Sequence, residues 1–529
     1  MDSHRLVSAH NLEIFQASAP FSSFSFIESN FDSSRAVHRC FSLARSAGFQ
    51  TLVVEDIPEA GAIRDENLDI PNYVLGHTMT GLRRLSFWKT GFVSTDELNS
   101  QSTDDLIGYA IVKRDQYPSS QDPALRVESW HIFEAVFCKY PHKHNCVPNM
   151  RAYEVSVGAG AFQVTGVLYC QQNQLNKVCA HVALRSLLSR SLDEGDIFYS
   201  EINRLAKAAY TEPYNPANGL NPQQIRYILE TLNIPYRDIY YSDLEDQYPD
   251  IRKRIPYQKY LYAGVESGAG ALLGFKLAGP KANDSRHIIP FYGHTFNKDT
   301  WSPDAEVSYF DVGGGIGYMP SESWTSSFIG HDDNFGPNFC VPRLYVSPEQ
   351  AEYVVELLHA GFEFSGIQAE AVTLSYLYSL HPHLQADDEG NIWAKRLAEE
   401  IAPSNQQVVL RAVTTSAERY LAHLSGINDW DGNKENSKIP EILGPVLPDW
   451  LWVVEVSLPQ LFPANERKLG EVVLNPYVIP NLDDPTDFSL FLFARVPGRY
   501  FIQSDITSGK PDFLEIPSSI ASHTELLTL

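Results

Sequence analysis

The sequence predicts an α+β protein built from several domains. At 529 residues, it has the length of about three ordinary domains. Apolar residues recur at helical spacing in some segments, and short runs rich in β-branched and aromatic residues, typical of strands, lie in others. A composition of 43% hydrophobic and 12% aromatic residues supports large buried cores. The sequence shows no internal repeat, so we do not expect a repeat architecture.

The N-terminal region, residues 1–150, is predicted to be an α+β domain. An amphipathic helix begins at Ser33 or Ser34 and ends at Gly48. The strand-like run Leu106–Val112 is similar to the central strands of acetyltransferase-like folds, but no pyrophosphate-binding loop follows it. We therefore interpret this region as a scaffold or recognition domain. The predicted strands are Thr51–Glu55, Leu106–Val112 and Trp130–Phe137.

The most informative segment is the one that ends at Cys179. A polar turn rich in Gln and Asn precedes this cysteine, and an amphipathic helix follows it. The partial positive charge of a helix start favours a thiolate. His181, two residues further on, points away from Cys179 and is not expected to act as its base. The buried face of the helix is predicted to contain Ala180, Ala183, Leu184, Leu187 and Leu188.

A second helix follows, and a histidine-bearing strand comes after it. Asn221 is a predicted N-cap with Pro222 at the first helical position, and Asn233–Pro235 ends the helix. The segment from Arg286 to Trp301 is predicted to be a strand and then a polar turn.

This strand offers two candidate bases for the thiol, His287 and His294. If the strand is unbroken, its period of two places them on opposite faces. We favour His294, because Asn297 and Asp299 lie close enough to fix its tautomer and Trp301 can shield that contact. If His287 is the base instead, Asp311, after the strand-like run Val307–Phe310, suits it as the orienting acid.

The order of cysteine at a helix start, histidine on a strand and then a carboxylate or amide resembles the papain-like cysteine peptidases. The likeness is greatest to the C39-like branch found in large bacterial proteins, and it covers residues 151–345. It implies a papain-like catalytic domain between the N-terminal domain and a C-terminal α+β region, residues 346–529. The segments that carry the resemblance are Val178–Leu184, Gly293–Trp301 and His331–Gly336.

The resemblance implies a role for each matching residue. Cys179 is the nucleophile, His294 is the base and later the acid, and Gln172 is the oxyanion-hole donor. Asn297 or Asp299 orients the histidine. In the family the glutamine commonly lies six residues before the cysteine. Here Asn173 stands at that position, flanked by Gln172 and Gln174. The family's third member usually follows the histidine at a longer interval, which leaves Asp311 and Asp333 as alternatives.

The C-terminal region is predicted to open with a helix that starts at Ser347 and buries Ala351, Val354, Val355 and Leu358. Further helices and then strands follow. The predicted helices are 368–380, 392–402 and 408–424, and the predicted strands are Leu451–Ser457, Leu469–Leu474 and Ser489–Arg495.

Composition excludes several classes of partner. A formal charge of −24 opposes binding to nucleic acids and to anionic membranes. The segment Met1–Val7 does not show the basic and apolar pattern of a secretory signal, and no apolar run has membrane-spanning length, so we expect a cytoplasmic protein. Six cysteines in so long a chain are expected to be reduced thiols.

No cofactor or metal is expected. The glycine-rich run Gly313–Gly317 lacks the lysine and the helix of a phosphate-binding loop. The segment Cys138–Cys146 holds two cysteines and two histidines, but their tight spacing favours a polar loop over a structural zinc site.

These features lead to the hypothesis of a cysteine hydrolase that cleaves an amide or isopeptide bond of a peptide or protein through a thioester. Transglutaminase-like acyl transfer would use the same residues. A catalytically inactive papain-like binding scaffold and an N-terminal acetyltransferase are the alternatives from other classes.

Overall fold

The computed structural model describes most of the chain between residues 11 and 528. Within that part of the chain, no helix is long and apolar enough to cross a membrane. The residues outside the description within this span are 120–121, 123, 139–144, 174–178, 193–194, 210–218, 278–285, 297–316, 386–389, 403–404, 437, 463–465, 482–483, 485–486 and 506–511.

The first sheet is five-stranded and antiparallel, in the order β1-β2-β3-β4-β5. Helices α1 and α2 cover one of its faces through a core rich in phenylalanine. The predicted helix is confirmed as α2, because Ser34 caps it and Gly48 follows it with a φ of +81°. The elements are β1 (Asn11–Gln16), α1 (Ser23–Asn30), α2 (Arg35–Ser46), β2 (Thr51–Asp56), α3 (Gly61–Asp69), β3 (Thr78–Trp88), α4 (Thr95–Asn99), β4 (Leu106–Pro118) and β5 (Arg126–Phe137).

A hairpin of two antiparallel strands, Arg151–Val157 and Gly160–Gly166, covers the other face of this sheet. Val157 and Phe162 of the hairpin share a buried cluster with Trp88 and Phe133 of the sheet. The predicted boundary at residue 150 therefore lies inside a packing unit. The strands here are β6 (Asn145–Cys146), β7 (Arg151–Val157) and β8 (Gly160–Gly166).

The second sheet has the order β14-β13-β11-β10-β15-β9, and its adjacent strands are antiparallel. Helices α5, α6 and α7 pack on one face, and α10 packs on the other. Strand β6 pairs with the far end of β11. The elements are α5 (Cys179–Ser191), α6 (Tyr199–Ala208), α7 (Pro222–Thr231), β9 (Tyr236–Tyr240), α8 (Tyr241–Leu244), α9 (Ile251–Arg254), α10 (Tyr257–Glu266), β10 (Ala271–Lys276), β11 (Arg286–Phe296), β12 (Met319–Pro320), β13 (Thr325–Asp332), β14 (Gly336–Pro342) and β15 (Ala351–Leu357).

The third sheet has the order β12-β16-β17-β19-β20-β21-β22, and a separate pair joins β18 to β23. Helices α11 and α12 pack on one face, and α13 and α14 pack on the other. The elements are α11 (Gly366–Gln385), α12 (Ile392–Ile401), β16 (Val409–Ser416), α13 (Ala417–Gly426), α14 (Lys438–Leu443), β17 (Trp450–Ser457), β18 (Arg467–Lys468), β19 (Gly470–Leu474), β20 (Phe491–Val496), β21 (Arg499–Asp505), β22 (Asp512–Pro517) and β23 (Thr524–Glu525).

The α+β prediction is confirmed, but two predicted helices are wrong. The segment after Ser347 forms strand β15, which lies between β10 and β9. A strand buried on both faces is apolar at nearly every position, so it also contains apolar residues at helical spacing. The predicted helix 408–424 is strand β16 followed by helix α13. The predicted strand Val307–Phe310 lies outside the described residues.

Candidate active site

Cys179 is the first residue of helix α5, as the sequence predicts. The predicted apolar face is buried, and Leu184 and Leu187 pack against Ile288 and Tyr292 of strand β11. Cys179 itself is only partly buried. The thiol is therefore accessible at the end of a helix where unpaired N–H groups favour a negative charge.

The imidazole next to this thiol belongs to His287, near the start of β11. The His287 side chain hydrogen-bonds to the Cys179 side chain and is 8% exposed. On its other side, Nε2 lies 3.4 Å from Asp332 Oδ2 and 3.4 Å from Asp333 Oδ1. The structure thus brings together a thiol, an imidazole and two carboxylates.

The topology of the second sheet explains this meeting. Strand β13 runs antiparallel to β11, so the end of β13 lies beside the start of β11. Asp332 is the last residue of β13, and Asp333 follows it in a tight turn. Helix α5 packs against β11, and the N-terminal end of the helix lies at the same place.

The turn that holds the two carboxylates is itself well fixed. Asp332 Oδ1 accepts hydrogen bonds from the backbone N–H groups of Asn334, at 2.8 Å, and Phe335, at 3.2 Å. The Tyr169 hydroxyl lies 3.4 Å from the Asp332 carbonyl oxygen and 3.5 Å from that of Asp333. These contacts leave Asp332 Oδ2 directed at His287.

Charge and burial act in opposite directions on His287. Burial lowers the pKa of this histidine, but the polar contacts with Asp332 and Cys179 and the charges of Asp332 and Asp333 outweigh it and raise the pKa to about 10. Burial raises the pKa of Asp333 to about 6, even though the His287 charge favours the carboxylate. His287 therefore carries a positive charge at neutral pH in this arrangement.

The prediction that His294 faces the thiol is wrong. Its ring is fully buried, and Nε2 lies 2.5 Å from Glu266 Oε1 on helix α10. His294 stands seven residues beyond His287 on the same strand, which is about 23 Å for extended backbone. The alternation assumed for this strand is also broken, because its register against β13 shifts between Phe291 and Gly293.

His294 has a structural environment. Glu266 also accepts hydrogen bonds from Arg411 of the third sheet, at 2.8 Å and 3.1 Å. Burial alone would raise the pKa of Glu266, but the charges and hydrogen bonds of Arg411 and His294 lower it to about 2. This histidine therefore contacts a carboxylate that belongs to a buried ion pair between two sheets.

The two other histidines of the sequence motifs are buried as well. His181 Nε2 lies 2.9 Å from Asn203 Oδ1, and burial lowers its pKa to about 4. His331 Nε2 lies 3.3 Å from the Val167 carbonyl, and burial lowers its pKa to about 3. Both contacts suit neutral histidines that hold the scaffold together, and the prediction that His181 is not the base agrees with this placement.

The candidate oxyanion segment leads into helix α5. Gln172 is partly buried there, and its role as a donor stays a prediction. Asn173 is 4% exposed, and its Nδ2 donates to Glu66 Oε1 at 3.2 Å, which ties the segment to α3 of the N-terminal unit. Gln174 lies outside the described residues.

Three candidates for the orienting group, Asn297, Asp299 and Asp311, also lie outside the described residues. Asp333, the fourth candidate, lies at the site. Asp332 was not among the candidates of the sequence analysis. The sequence did contain a signal for Asp332: two adjacent acidic residues follow an apolar strand, and acidic residues at such a place are rarely buried without a partner.

Two groups of possible metal ligands occur among the described residues. His287, Asp332 and Asp333 form one, and Cys146, Glu266 and His294 form the other; in each, the donor atoms lie within 4.8 Å of one another. Most of the segment Cys138–Cys146 lies outside the description.

Comparison with known proteins does not assign this chain to a family. No family model matches the chain, and no curated protein or solved structure matches it. A functional assignment therefore depends on the chemistry of the site itself.

Proposed function

We propose that this protein is a papain-like cysteine hydrolase that cleaves an amide or isopeptide bond of a peptide or protein substrate. The observation that carries the proposal is the meeting of Cys179, His287 and the carboxylates of Asp332 and Asp333. A nucleophile beside a base that a third group orients is the arrangement that covalent catalysis requires. This proposal replaces His294 with His287 as the base.

The layout of the central unit supports a papain-like core. The thiol lies at the start of a helix that packs on the sheet, and the imidazole lies on strand β11 of that sheet. The carboxylates come from β13 and its turn, which follow β11 in the chain and pair with it. The order of thiol, imidazole and acid along the chain is that of the family named above.

The acylation step uses the two sides of the imidazole. Nε2 of His287 faces the carboxylates, so Nδ1 receives the proton of Cys179. Sγ then attacks the carbonyl carbon of the scissile amide. The resulting oxyanion is stabilised by the backbone N–H of Cys179, with Gln172 as the proposed second donor. His287 gives its proton to the leaving amine, the C–N bond breaks, and a thioester remains.

The deacylation step restores the enzyme. His287 removes a proton from water, and the hydroxide attacks the thioester carbonyl. The C–S bond breaks, the acid leaves, and the thiolate–imidazolium pair re-forms. The Asp332 and Asp333 carboxylates hold the ring in place and stabilise its positive charge in both steps.

Selective alkylation tests this proposal. We expect iodoacetamide at pH 6 to modify Cys179 faster than the other cysteines, because an imidazolium stabilises the thiolate. His287→Gln should slow the labelling of Cys179 at least tenfold. His294→Gln is the matched control and should leave the labelling of the folded protein unchanged. Mass spectrometry of the peptides measures the rate at each cysteine, and the exposed Cys340 serves as the internal reference.

A peptide electrophile extends the test to catalysis. Cys179→Ala and His287→Gln should both abolish its attachment to the protein. If His294→Gln abolishes the attachment in protein that is still folded, while His287→Gln does not, then the assignment of the base is wrong. If Cys179 labels no faster than Cys340, the hydrolase proposal fails.

A further inference from the structure

The two aspartates that face His287 Nε2 carry more negative charge than a hydrolase needs to orient this ring. One carboxylate is enough to orient an imidazole, yet both Asp332 and Asp333 lie 3.4 Å from Nε2. The side chains of the two aspartates are 4% and 3% exposed. Among the described ion pairs, neither carboxylate has a lysine or arginine partner, so the single imidazole faces two buried negative charges.

The distances fit a metal ion better than a hydrogen bond. A charge-assisted N–H···O hydrogen bond is normally about 2.7–2.9 Å long. In a tetrahedral zinc site, with metal–ligand distances of about 2.0–2.2 Å, neighbouring ligand atoms lie about 3.3–3.6 Å apart. The observed separations of 3.4 Å between Nε2 and each carboxylate oxygen fall in the second range.

Two atoms of these side chains that could bind a metal ion also have no hydrogen-bond partner within the described part of the chain. They are His287 Nε2 and Asp333 Oδ2, and both are buried. The other oxygen of this carboxylate, Asp333 Oδ1, accepts a hydrogen bond from Asn334 Nδ2 at 3.0 Å. A buried polar atom without a partner costs free energy unless a ligand or ion satisfies it. Asp332 Oδ1, in contrast, is held by two backbone N–H groups, which fixes Oδ2 toward the same point.

We propose that His287, Asp332 and Asp333 form a binding site for a divalent transition metal such as Zn²⁺, and that metal binding there inhibits the thiol. One imidazole with two carboxylates is a donor set that suits Zn²⁺ and the neighbouring metals of the first transition row. Three protein ligands leave one tetrahedral position for water. The metal-binding part stands on geometry alone, whereas the inhibitory part rests on the proposed function.

The inhibition follows from the two nitrogens of the ring. A metal ion at Nε2 displaces the proton of that nitrogen to solvent. The remaining proton stays on Nδ1, which faces Cys179. The ring then no longer carries the imidazolium charge that pairs with the thiolate, and the carboxylates that stabilise this charge are engaged by the metal.

Calorimetric titration of the full-length Cys179→Ala variant with Zn²⁺ tests the site without the thiol. We expect binding of one ion and at least tenfold weaker binding after the further change Asp333→Asn, which keeps the side-chain shape. Cys146→Ser in the same background is the control for the second ligand group, and should leave the affinity unchanged. Circular dichroism and thermal unfolding verify that each variant is folded.

Either of two results would overturn the site: no Zn²⁺ binding to Cys179→Ala, or binding that Cys146→Ser removes and Asp333→Asn does not. The inhibitory part is tested by iodoacetamide labelling of the wild type. Zn²⁺ should slow the labelling of Cys179 at least tenfold, EDTA should restore it, and Asp333→Asn should reduce the effect. Labelling of the wild type at an unchanged rate with Zn²⁺ bound would overturn the inhibition.

The two proposals fail in different ways. Zinc binding to Cys179→Ala without any preferential labelling of Cys179 in metal-free wild type would refute the hydrolase and keep the metal site. Rapid labelling that depends on His287, with no zinc binding, would refute the metal site and keep the hydrolase.

Discussion

Glu356 shows how a single buried carboxyl makes the stability of this protein depend on pH. It is fully buried in strand β15, where Oε1 accepts a hydrogen bond from the Gly366 N–H at 3.2 Å. Burial raises its pKa from an ordinary value of 4.5 to about 8, although Gly366 and Arg237 favour the charged form. The folded protein therefore holds this proton more tightly than the unfolded chain does.

The sign of the effect follows from that difference. Below pH 4.5 both states are protonated, and between pH 4.5 and pH 8 the unfolded chain gains stability by ionising, so the folded state loses stability. We expect Glu356→Gln to raise the free energy of unfolding by roughly 3–5 kcal/mol at pH 8 and to change it little at pH 4.5. Calorimetry at the two pH values measures the shift in melting temperature.

Glu352 on the same strand provides the matched control. It pairs with Lys276 at 3.0 Å and with Arg286, and these partners lower its pKa. Glu352→Gln should therefore give no gain at pH 8. An equal gain from both substitutions would contradict the assignment to Glu356.

At the scale of single residues, the sequence predicted the position of the candidate nucleophile but not the imidazole that lies beside it. Cys179 could be predicted because a helix start and its apolar face are local features. The choice between His287 and His294 depends on the register of β11, which shifts between Phe291 and Gly293, and on the position of Glu266 far along the chain. Neither feature leaves a local signal.

At the scale of elements, caps and turns were predicted best. The predicted start of helix α7 is confirmed in detail: Asn221 Oδ1 accepts from the Gln224 N–H at 2.9 Å, and Gln224 Oε1 accepts from the Asn221 N–H at 3.0 Å. Strand β15 was mistaken for a helix, because its burial is set by β9, β10 and the helices around them rather than by its own sequence.

The capping box of α7 gives a prediction at this scale. Asn221→Ala removes one acceptor and should destabilise the helix start by about 1 kcal/mol. We expect amide hydrogen exchange in the first turn of α7 to become about fivefold faster, since RT is about 0.6 kcal/mol. Mass spectrometry of the peptide that covers this turn measures the change. Asn221→Ser, which keeps a capping oxygen, should stay close to the wild type, and equal acceleration in both variants would contradict the role of the cap.

At the scale of the whole molecule, a buried chain of ion pairs connects the second and third sheets. It begins at His294 and Glu266, and each link is 3.3 Å long or shorter, with side chains at most 5% exposed. From Glu266 to Arg495, charges of opposite sign alternate along it, so each of these ions has a partner. The members are His294, Glu266, Arg411, Glu455, Lys468, Glu471 and Arg495.

Arg411 is the link between the sheets, since it binds Glu266 on one side and Glu455 on the other. Arg411→Met removes a cation from between two buried carboxylates and should lower the free energy of unfolding by about 3–5 kcal/mol. Arg419→Met is the control, because that side chain is exposed and donates to the Thr528 carbonyl, so we expect a change below about 1 kcal/mol. Thermal unfolding measures both, and equal losses would refute the role of Arg411.

The place of β15 has a consequence for how this protein can be handled. Because β15 bonds to β10 on one side and to β9 on the other, a fragment that stops near residue 345 would lose an inner strand of its sheet. Strands β9 and β10 would then expose unpaired backbone N–H and C=O groups to solvent, and other chains can pair with such edges. Cys179 should accordingly be studied in the intact polypeptide, because the sheet on which helix α5 packs includes a strand that follows residue 345.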